Sequence, residues 1–215
     1  MVPAHNEGPM IGQVIHQARL FFPNVVCVDD GSTDDTVQIA SDAGAWVVKH
    51  PLNVGQGAAI QTGIDYILTY TDARFLVTFD GDGQHLPEDA AAMVSRARSE
   101  NLGVIYGSRF LGEEAQVGWL KRIFLKTAAA VTRWKTGLEL TDAHNGLRVL
   151  SREAADSINL TQDRMAHASE IVAQLSRTDL EWAEHPVRIQ YTDYSRAKGQ
   201  SLLNSVNILV ELTLG

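Results

Sequence analysis

The strongest constraint on the fold of this chain is a rhythm. Through the first half, apolar runs of three to five residues alternate with longer amphipathic stretches. Val25–Val28, Trp46–Val48, Phe75–Phe79 and Val104–Tyr106 are rich in Val, Phe and Tyr and too short for helices, so they read as strands. Between them, apolar residues recur at helical spacing. Pro9 suits a first helical position, with Ile11, Val14, Ile15 and Ala18 on one face. Ser32 and Asp35 have a capping-box-like spacing ahead of a second helix, which Gly44 closes. Ala59, Ile60, Gly63, Ile64 and Ile67 form the stripe of a third helix, and Pro87, Glu88 and Asp89 start a fourth that runs to about Glu100. Such alternation predicts an α/β fold: a mostly parallel central sheet flanked by helices, with ligands at the carboxyl ends of the strands.

The second half is less regular. Leu140–Asp142 and Gly146–Leu150 read as short strands, Met165–Arg177 as a helix and Val187–Tyr191 as the last strand. Trp46 and Trp182 are expected in the core. Val2–Glu7 reads as the end of a strand that begins upstream, so the first strand is expected to be truncated at the N-terminus. With no internal repeat or linker, residues 1–215 read as a single catalytic-size domain.

Composition works by exclusion. A formal net charge of −8 lacks the basic footprint of a nucleic-acid-binding protein. Cys27, the single cysteine, sits inside an apolar run and reads as a small buried hydrophobe. No signal peptide opens the chain, and no uncharged apolar run reaches the roughly 18 residues of a membrane span, so the cytoplasm is the expected compartment.

Chemistry concentrates where the strands end. Asp80-Gly81-Asp82-Gly83-Gln84-His85 follows an apolar run, and two carboxylates one residue apart can share one hard cation, Mg²⁺ or Mn²⁺, leaving positions for substrate phosphates. Gln84 offers a further amide oxygen. An EF-hand loop starting at Asp80 would need Gly sixth and Glu twelfth, where His85 and Ala91 stand. A haloacid-dehalogenase-type phosphatase would carry Thr or Val where Gln84 stands. Asp29 and Asp30, at another strand end, can accept hydrogen bonds from a base or ribose. Asn53-Val54-Gly55-Gln56-Gly57 resembles half of a dinucleotide fingerprint, but Ile60 replaces its third glycine.

Taken in order, Pro3-Ala4-His5-Asn6-Glu7, Val28-Asp29-Asp30-Gly31-Ser32-Thr33-Asp34, Asn53-Val54-Gly55-Gln56-Gly57, Asp80-Gly81-Asp82-Gly83-Gln84-His85 and Gly107-Ser108-Arg109-Phe110 resemble glycosyltransferase family 2, in particular its dolichyl- and polyprenyl-phosphate sugar synthases. The resemblance implies a GT-A fold and a set of roles. Pro3, Ala4, Asn6 and Glu7, with Asp29 or Asp30, would hold the nucleoside, with Gly57, Gly81 and Arg196 also lining the nucleotide-sugar site. Asp80, Asp82 and Gln84 would hold the metal. Arg109 and Lys198 would neutralise the leaving diphosphate. Thr141–Arg148 matches a second signature near the acceptor, and the loop carrying Arg196, Lys198 and Ser201 would close over phosphates.

A lipid-phosphate acceptor is already an anion, whereas a sugar hydroxyl needs a base, for which Asp142 and Glu170 are the candidates. Between Ala115 and Leu138 there is no acidic residue, and Lys121, Arg122, Lys126, Arg133 and Lys135 contribute five positive charges. Trp119, Leu120, Ile123, Phe124, Ala130, Val131 and Trp134 share one helical face and Arg122, Lys126 and Arg133 cluster on another, a pattern shared by interfacial helices and by helices packed on a core. Residues 116–136 and 201–215 are therefore candidate membrane-surface helices. The expected activity is inverting, metal-dependent transfer of a hexose from a GDP- or UDP-sugar to a polyprenyl phosphate in cell-envelope glycan or glycoconjugate synthesis, with the protein peripheral at the inner face of the membrane. The alternatives are a sugar-hydroxyl acceptor, or a non-catalytic protein that binds sugar nucleotides. His16, His50, His167 and His185 show no zinc spacing and are expected to be structural or surface groups.

Overall fold

The structure is a computed structural model and describes residues 1–111, 138–162, 166–191 and 194. Arg196, Lys198 and the two candidate membrane-surface stretches, 116–136 and 201–215, lie outside the described residues.

The predicted alternation is present. Strands β1 (Val2–Ala4), β2 (Val26–Asp29), β3 (Trp46–Lys49), β4 (Phe75–Thr78) and β5 (Val104–Ser108) alternate with helices α1 (Gly8–Arg19), α2 (Thr36–Asp42), α3 (Gln56–Tyr70) and α4 (Pro87–Ser99). Then come β6 (Arg148–Ser151), α5 (Arg152–Asp156), α6 (His167–Leu175) and β7 (Trp182–Pro186). Strands pair in two groups, β3-β2-β1 and β4-β6-β5-β7. Backbone bonds stitch the groups together, since Met1 N donates to Val77 O at 2.7 Å and Phe79 N to Met1 O at 3.0 Å. β1 therefore lies beside β4 near the middle of one sheet. Only β6 runs against its neighbours among the described strands.

The apolar runs are continuous because both faces of the sheet are covered. Val26, Val28, Leu76, Tyr106 and Leu150 face α3, α5 and α6, where Ile60, Ile64, Ile171 and Leu175 are buried. Val2, Cys27, Ile105 and Val149 face the other way, onto Ile11, Val14 and Ile15 of α1 and Met93 of α4. The stripes expected on the first and third helices are the buried faces of α1 and α3, and Cys27 is buried.

Four local expectations are corrected. Ser32 does not cap α2, because its hydroxyl accepts from Asn6 N instead; α2 starts at Thr36, whose N–H is bonded by Asp34 Oδ1 at 3.0 Å. Leu140–Asp142 is a loop rather than a strand, held open by side-chain bonds described below. The last described strand is Trp182–Pro186, earlier than Val187–Tyr191; Glu184 and His185 hide it in the sequence, and among the described residues it pairs with one neighbour only. Trp46 is 62% exposed because β3 is an edge strand, whereas Trp182 is partly buried, edge-on to Tyr106. No described helix is long and apolar enough to cross a membrane.

Candidate active site

Pro3 to Glu7, Asp29, Asp30, Asp80, Asp82 and Arg109 sit at the carboxyl ends of β1, β2, β4 and β5, with antiparallel β6 between the last two. Ala4 O accepts Asp30 N–H at 2.8 Å, joining the first two ends. Asn6 takes a left-handed conformation (φ 53°), and its side chain turns to the next loop, accepting Thr33 N–H at 2.9 Å. Its own N–H donates to Ser32 Oγ at 2.8 Å, and Glu7 N–H donates to Thr36 Oγ1 at 2.9 Å. Tyr194 reaches back to donate its hydroxyl to Glu7 at 2.8 Å.

Asp29 and Asp30 are both buried but differ in what they hold. Asp30 accepts Val54 N–H at 3.0 Å and Gly55 N–H at 2.8 Å and lies 2.9 Å from His50 Nδ1. Burial opposes its ionisation, but the bonds from Val54, His50 and Gly55 outweigh it and hold the carboxyl below the usual range. His50 Nε2 is in turn 2.9 Å from Thr62 Oγ1, so the 50–55 loop is pinned to α3. Asp29 accepts Ser32 N–H at 3.1 Å, and its other oxygen is buried without a partner. Gly57 is a packing glycine: a Cβ there would meet Gln162 O at 2.0 Å, so its place in α3 is explained without a ligand.

Asp80 and Asp82 occupy the turn after β4. Gly81 between them lies against β1, where a Cβ would be 3.2 Å from Pro3 O. Asp80 Oδ2 lies 2.9 Å from His85 Nε2, and Gln56 Nε2 makes a long 3.4 Å contact to Oδ1. Gly146 lets the chain pass close behind, since a Cβ there would sit 2.2 Å from Asp80 Oδ2. Burial opposes ionisation of Asp80, but the His85 bond and the charges of His85, Arg148 and His167 keep its carboxyl below the usual range. Asp82 goes the other way. Burial first, then the charges of Asp80 and Glu7, push its carboxyl up.

This donor set fits Mg²⁺ or Mn²⁺. It consists of carboxylate oxygens on one turn, and the Asp80 side chain is 32% exposed, leaving room for water or a ligand to complete the coordination. Among the described residues no three His, Cys, Asp or Glu side chains converge as a closed cage would require. Gln84, expected as a third ligand, grips Asp82 through its N–H at 3.0 Å and its Nε2 at 2.6 Å. In this conformation its amide N–H groups orient Asp82.

Across the site, Arg109 at the end of β5 makes a two-pronged ion pair with Asp142, Nε to Oδ2 at 2.6 Å and Nη2 to Oδ1 at 2.7 Å. Arg109 N–H and Asn145 Nδ2 also donate to Asp142. Asp142, a candidate base should the acceptor be a sugar hydroxyl, is paired with Arg109 in this structure. Burial opposes its ionisation, but the bonds and charge of Arg109 hold its carboxyl low. Glu184 of β7 fixes the same loop, accepting Thr141 N–H at 2.8 Å and Asp142 N–H at 3.2 Å. Glu170, the other candidate base, is also committed, accepting Thr161 and Gln162 N–H groups at 3.1 and 2.9 Å. Asp80 lies within electrostatic reach of Arg109, so the two halves form one site.

Sequence reasoning gives no site role to His85, Glu184 and Tyr194, and takes His50 as a structural or surface group, which its bonds to Asp30 and Thr62 match. The first ends the acidic motif itself, which was the available signal; Glu184 and Tyr194 reach the site only through long-range packing. His144 is a further case. Burial, then the charge of Arg148, lowers its pKa to about 4, and Ser169 Oγ lies 3.3 Å from its Nε2. A base whose folded pKa is depressed contributes stability that is present above its unfolded value and lost as pH falls towards the folded one. Between pH 7 and 5, His144 is expected to cost about 2 kcal/mol of stability. Urea denaturation of His144→Gln should therefore lose that much less over this interval than the wild type; an equal loss would mean that His144 is not buried neutral.

A model of the family "Glycosyl transferase family 2" matches residues 1–158. The chain belongs to that family. This glycosyltransferase is 36% identical over 219 residues to an uncharacterized protein of Methanocaldococcus jannaschii, covering 100% of the present chain and 90% of the relative. It is 28% identical over 236 residues to a UDP-N-acetylglucosamine–dolichyl-phosphate N-acetylglucosaminyltransferase of Methanococcus voltae, covering 100% of the one and 94% of the other. Among solved structures, glucosyl-3-phosphoglycerate synthase of Mycobacterium tuberculosis, in complex with Mn²⁺, UDP and glucosyl-3-phosphoglycerate, superposes with a TM-score of 0.70 at 20% identity, covering 98% of this chain and 77% of the other. That likeness establishes the GT-A fold. Family membership also removes the non-catalytic alternative: the protein is an enzyme, a glycosyltransferase.

Proposed function

We propose that this glycosyltransferase moves a hexose from a nucleotide-sugar donor, GDP- or UDP-linked, to a polyprenyl phosphate, with inversion at the anomeric carbon, working at the cytoplasmic face of a membrane. The observation that carries the reading is the meeting of Asp80 and Asp82 with the ends of β1 and β2 on one side and the Arg109–Asp142 pair on the other. Pro3, Asn6 and Glu7 line the wall proposed for the nucleoside, with Ala4, Asp29 and Asp30 buried behind them. A divalent ion held by Asp80 and Asp82 would supply electrostatic stabilisation of the leaving diphosphate. Asp142 keeps Arg109 cationic and in place, and the guanidinium is then aimed at phosphate charge without having to reorganise.

The occupied bases support a phosphate acceptor. Both carboxylates that could take a hydroxyl proton, Asp142 and Glu170, are already bonded within the protein. A phosphate oxygen attacks as an anion and needs no such group. The Methanococcus voltae relative, by name a dolichyl-phosphate transferase, supports the same acceptor, and the basic, Trp-flanked stretch 116–136 supports contact with an anionic surface. Lys198 and Arg196 are proposed to add positive charge over the phosphates.

The test is a donor panel (UDP-glucose, UDP-N-acetylglucosamine, GDP-mannose) offered with a polyprenyl phosphate in detergent, or with the matching polyprenol and neutral sugars, with and without Mn²⁺. Divalent-dependent transfer to the phosphate alone, with NMR showing an inverted anomer, is the expected result. Transfer to hydroxyl acceptors in preference to the phosphate would overturn the acceptor assignment.

A further inference from the structure

We propose that His85 is a positioning residue for Asp80, an imidazole N–H that holds one carboxylate oxygen so that the other faces a divalent cation. The inference rests on reading Asp80 and Asp82 as cation ligands.

His85 is fixed from several directions. Its backbone bridges Ile189, and its neighbour Gln84 accepts Gln190 N–H at 2.9 Å, so the segment after β7 clamps the turn. Its ring meets Phe79 edge-on, with centroids 5.6 Å apart, and only 6% of the residue is exposed. The ring therefore has little freedom, and its Nε2 rests 2.9 Å from Asp80 Oδ2. An ionised carboxylate only accepts, so the proton belongs on Nε2.

The other ring nitrogen shows that this is more than packing. Nδ1 is buried with no hydrogen-bond partner among the described residues. Leaving a buried polar nitrogen unpaired costs on the order of 1–3 kcal/mol. An apolar side chain beside Phe79 would fill the same space without that cost, so the imidazole is explained by what Nε2 does. It ties up Oδ2, while Gly146 lets the backbone pass close to both carboxylate oxygens. The remaining oxygen, Oδ1, has only the long 3.4 Å contact from Gln56 and is the one left to turn to a cation. Asp82 is held differently, by Gln84 in its own turn. The two ligands are thus set by separate devices, one local and one anchored to the end of the sheet.

The full-length protein would be titrated with Mn²⁺ alone, following the electron paramagnetic resonance signal of the free ion, for the wild type, His85→Gln and His85→Phe. Groups that orient a metal ligand from behind typically change affinity by about 10–100-fold, so His85→Phe should weaken Mn²⁺ binding by that factor, whereas His85→Gln, whose Nε2 can donate from a similar place, should stay within about threefold of the wild type. Melting curves without metal separate loss of the site from loss of the fold; should the Phe variant not fold, His85→Met removes the same donor. Unchanged affinity in the Phe or Met variant would overturn the proposal, and so would equal weakening by Gln and Phe. No Mn²⁺ binding by the folded wild type would instead remove the reading of Asp80 and Asp82 as ligands, and His85's role with it.

Discussion

Replacing Asp82 by Asn is expected to lower the rate of sugar transfer by about 10³-fold or more, equivalent to roughly 4 kcal/mol of transition-state stabilisation, while leaving the protein folded. Asp82 is the less comfortable carboxylate of the pair. Burial and the neighbouring charges of Asp80 and Glu7 disfavour its ionised form, and Gln84 supplies its hydrogen bonds. Such repulsion would be relieved by a bound cation. Removing the charge should therefore leave the melting temperature, measured without divalent ions, no lower than that of the wild type. Transfer assays and melting curves on the same preparation decide the matter. Retained activity would show that Asp82 does not serve the reaction, and a large fall in melting temperature would show that it is a structural residue.

Asp142→Ala should do the reverse and damage the fold as well as the reaction. Asp142 is fully buried at its side chain, Arg109 is 16% exposed, and the pair is joined by two short bonds. Taking one partner from a buried ion pair typically costs about 3–5 kcal/mol, because the other charge is left without compensation. Urea denaturation should show a loss in that range. The double variant Arg109→Met/Asp142→Leu should recover part of the stability, since no charge is then stranded, yet it should recover no activity, because the cation proposed to face the phosphates is gone. If Asp142→Ala is as stable as the wild type, the pair is not desolvated as described; if the double variant transfers sugar normally, Arg109 has no part in the reaction.

Much of the site was legible because its residues lie in short motifs at strand ends. A carboxylate pair one residue apart stays a pair in any turn, and Asp80-Gly81-Asp82 needed only the strand before it to be placed. The roles of Asp142 and Glu170 were not legible. Both carry the chemistry of a base, but what a carboxylate does depends on what fills its oxygens, and those partners come from far along the chain: Arg109 is 33 positions from Asp142. Ser32 failed as a helix cap for the same reason, since its hydroxyl was taken by Asn6, 26 positions away. Trp46 misled because apolar character says nothing about whether a strand lies at the edge of its sheet.

The sequence by itself determined the alternation of strands and helices, the two-sided burial of the sheet and the presence of acidic pairs at the carboxyl ends of β2 and β4. These follow from the period of the apolar residues and from local turn chemistry, which act over a few positions. Only the tertiary structure decided that β1 lies beside β4, that β6 runs against its neighbours, that Asp30 is filled by the 50–55 loop, and that Asp142 belongs to Arg109. The physical reason is that hydrogen-bond saturation and desolvation are properties of a neighbourhood, and the neighbourhood is assembled from segments that the sequence keeps far apart.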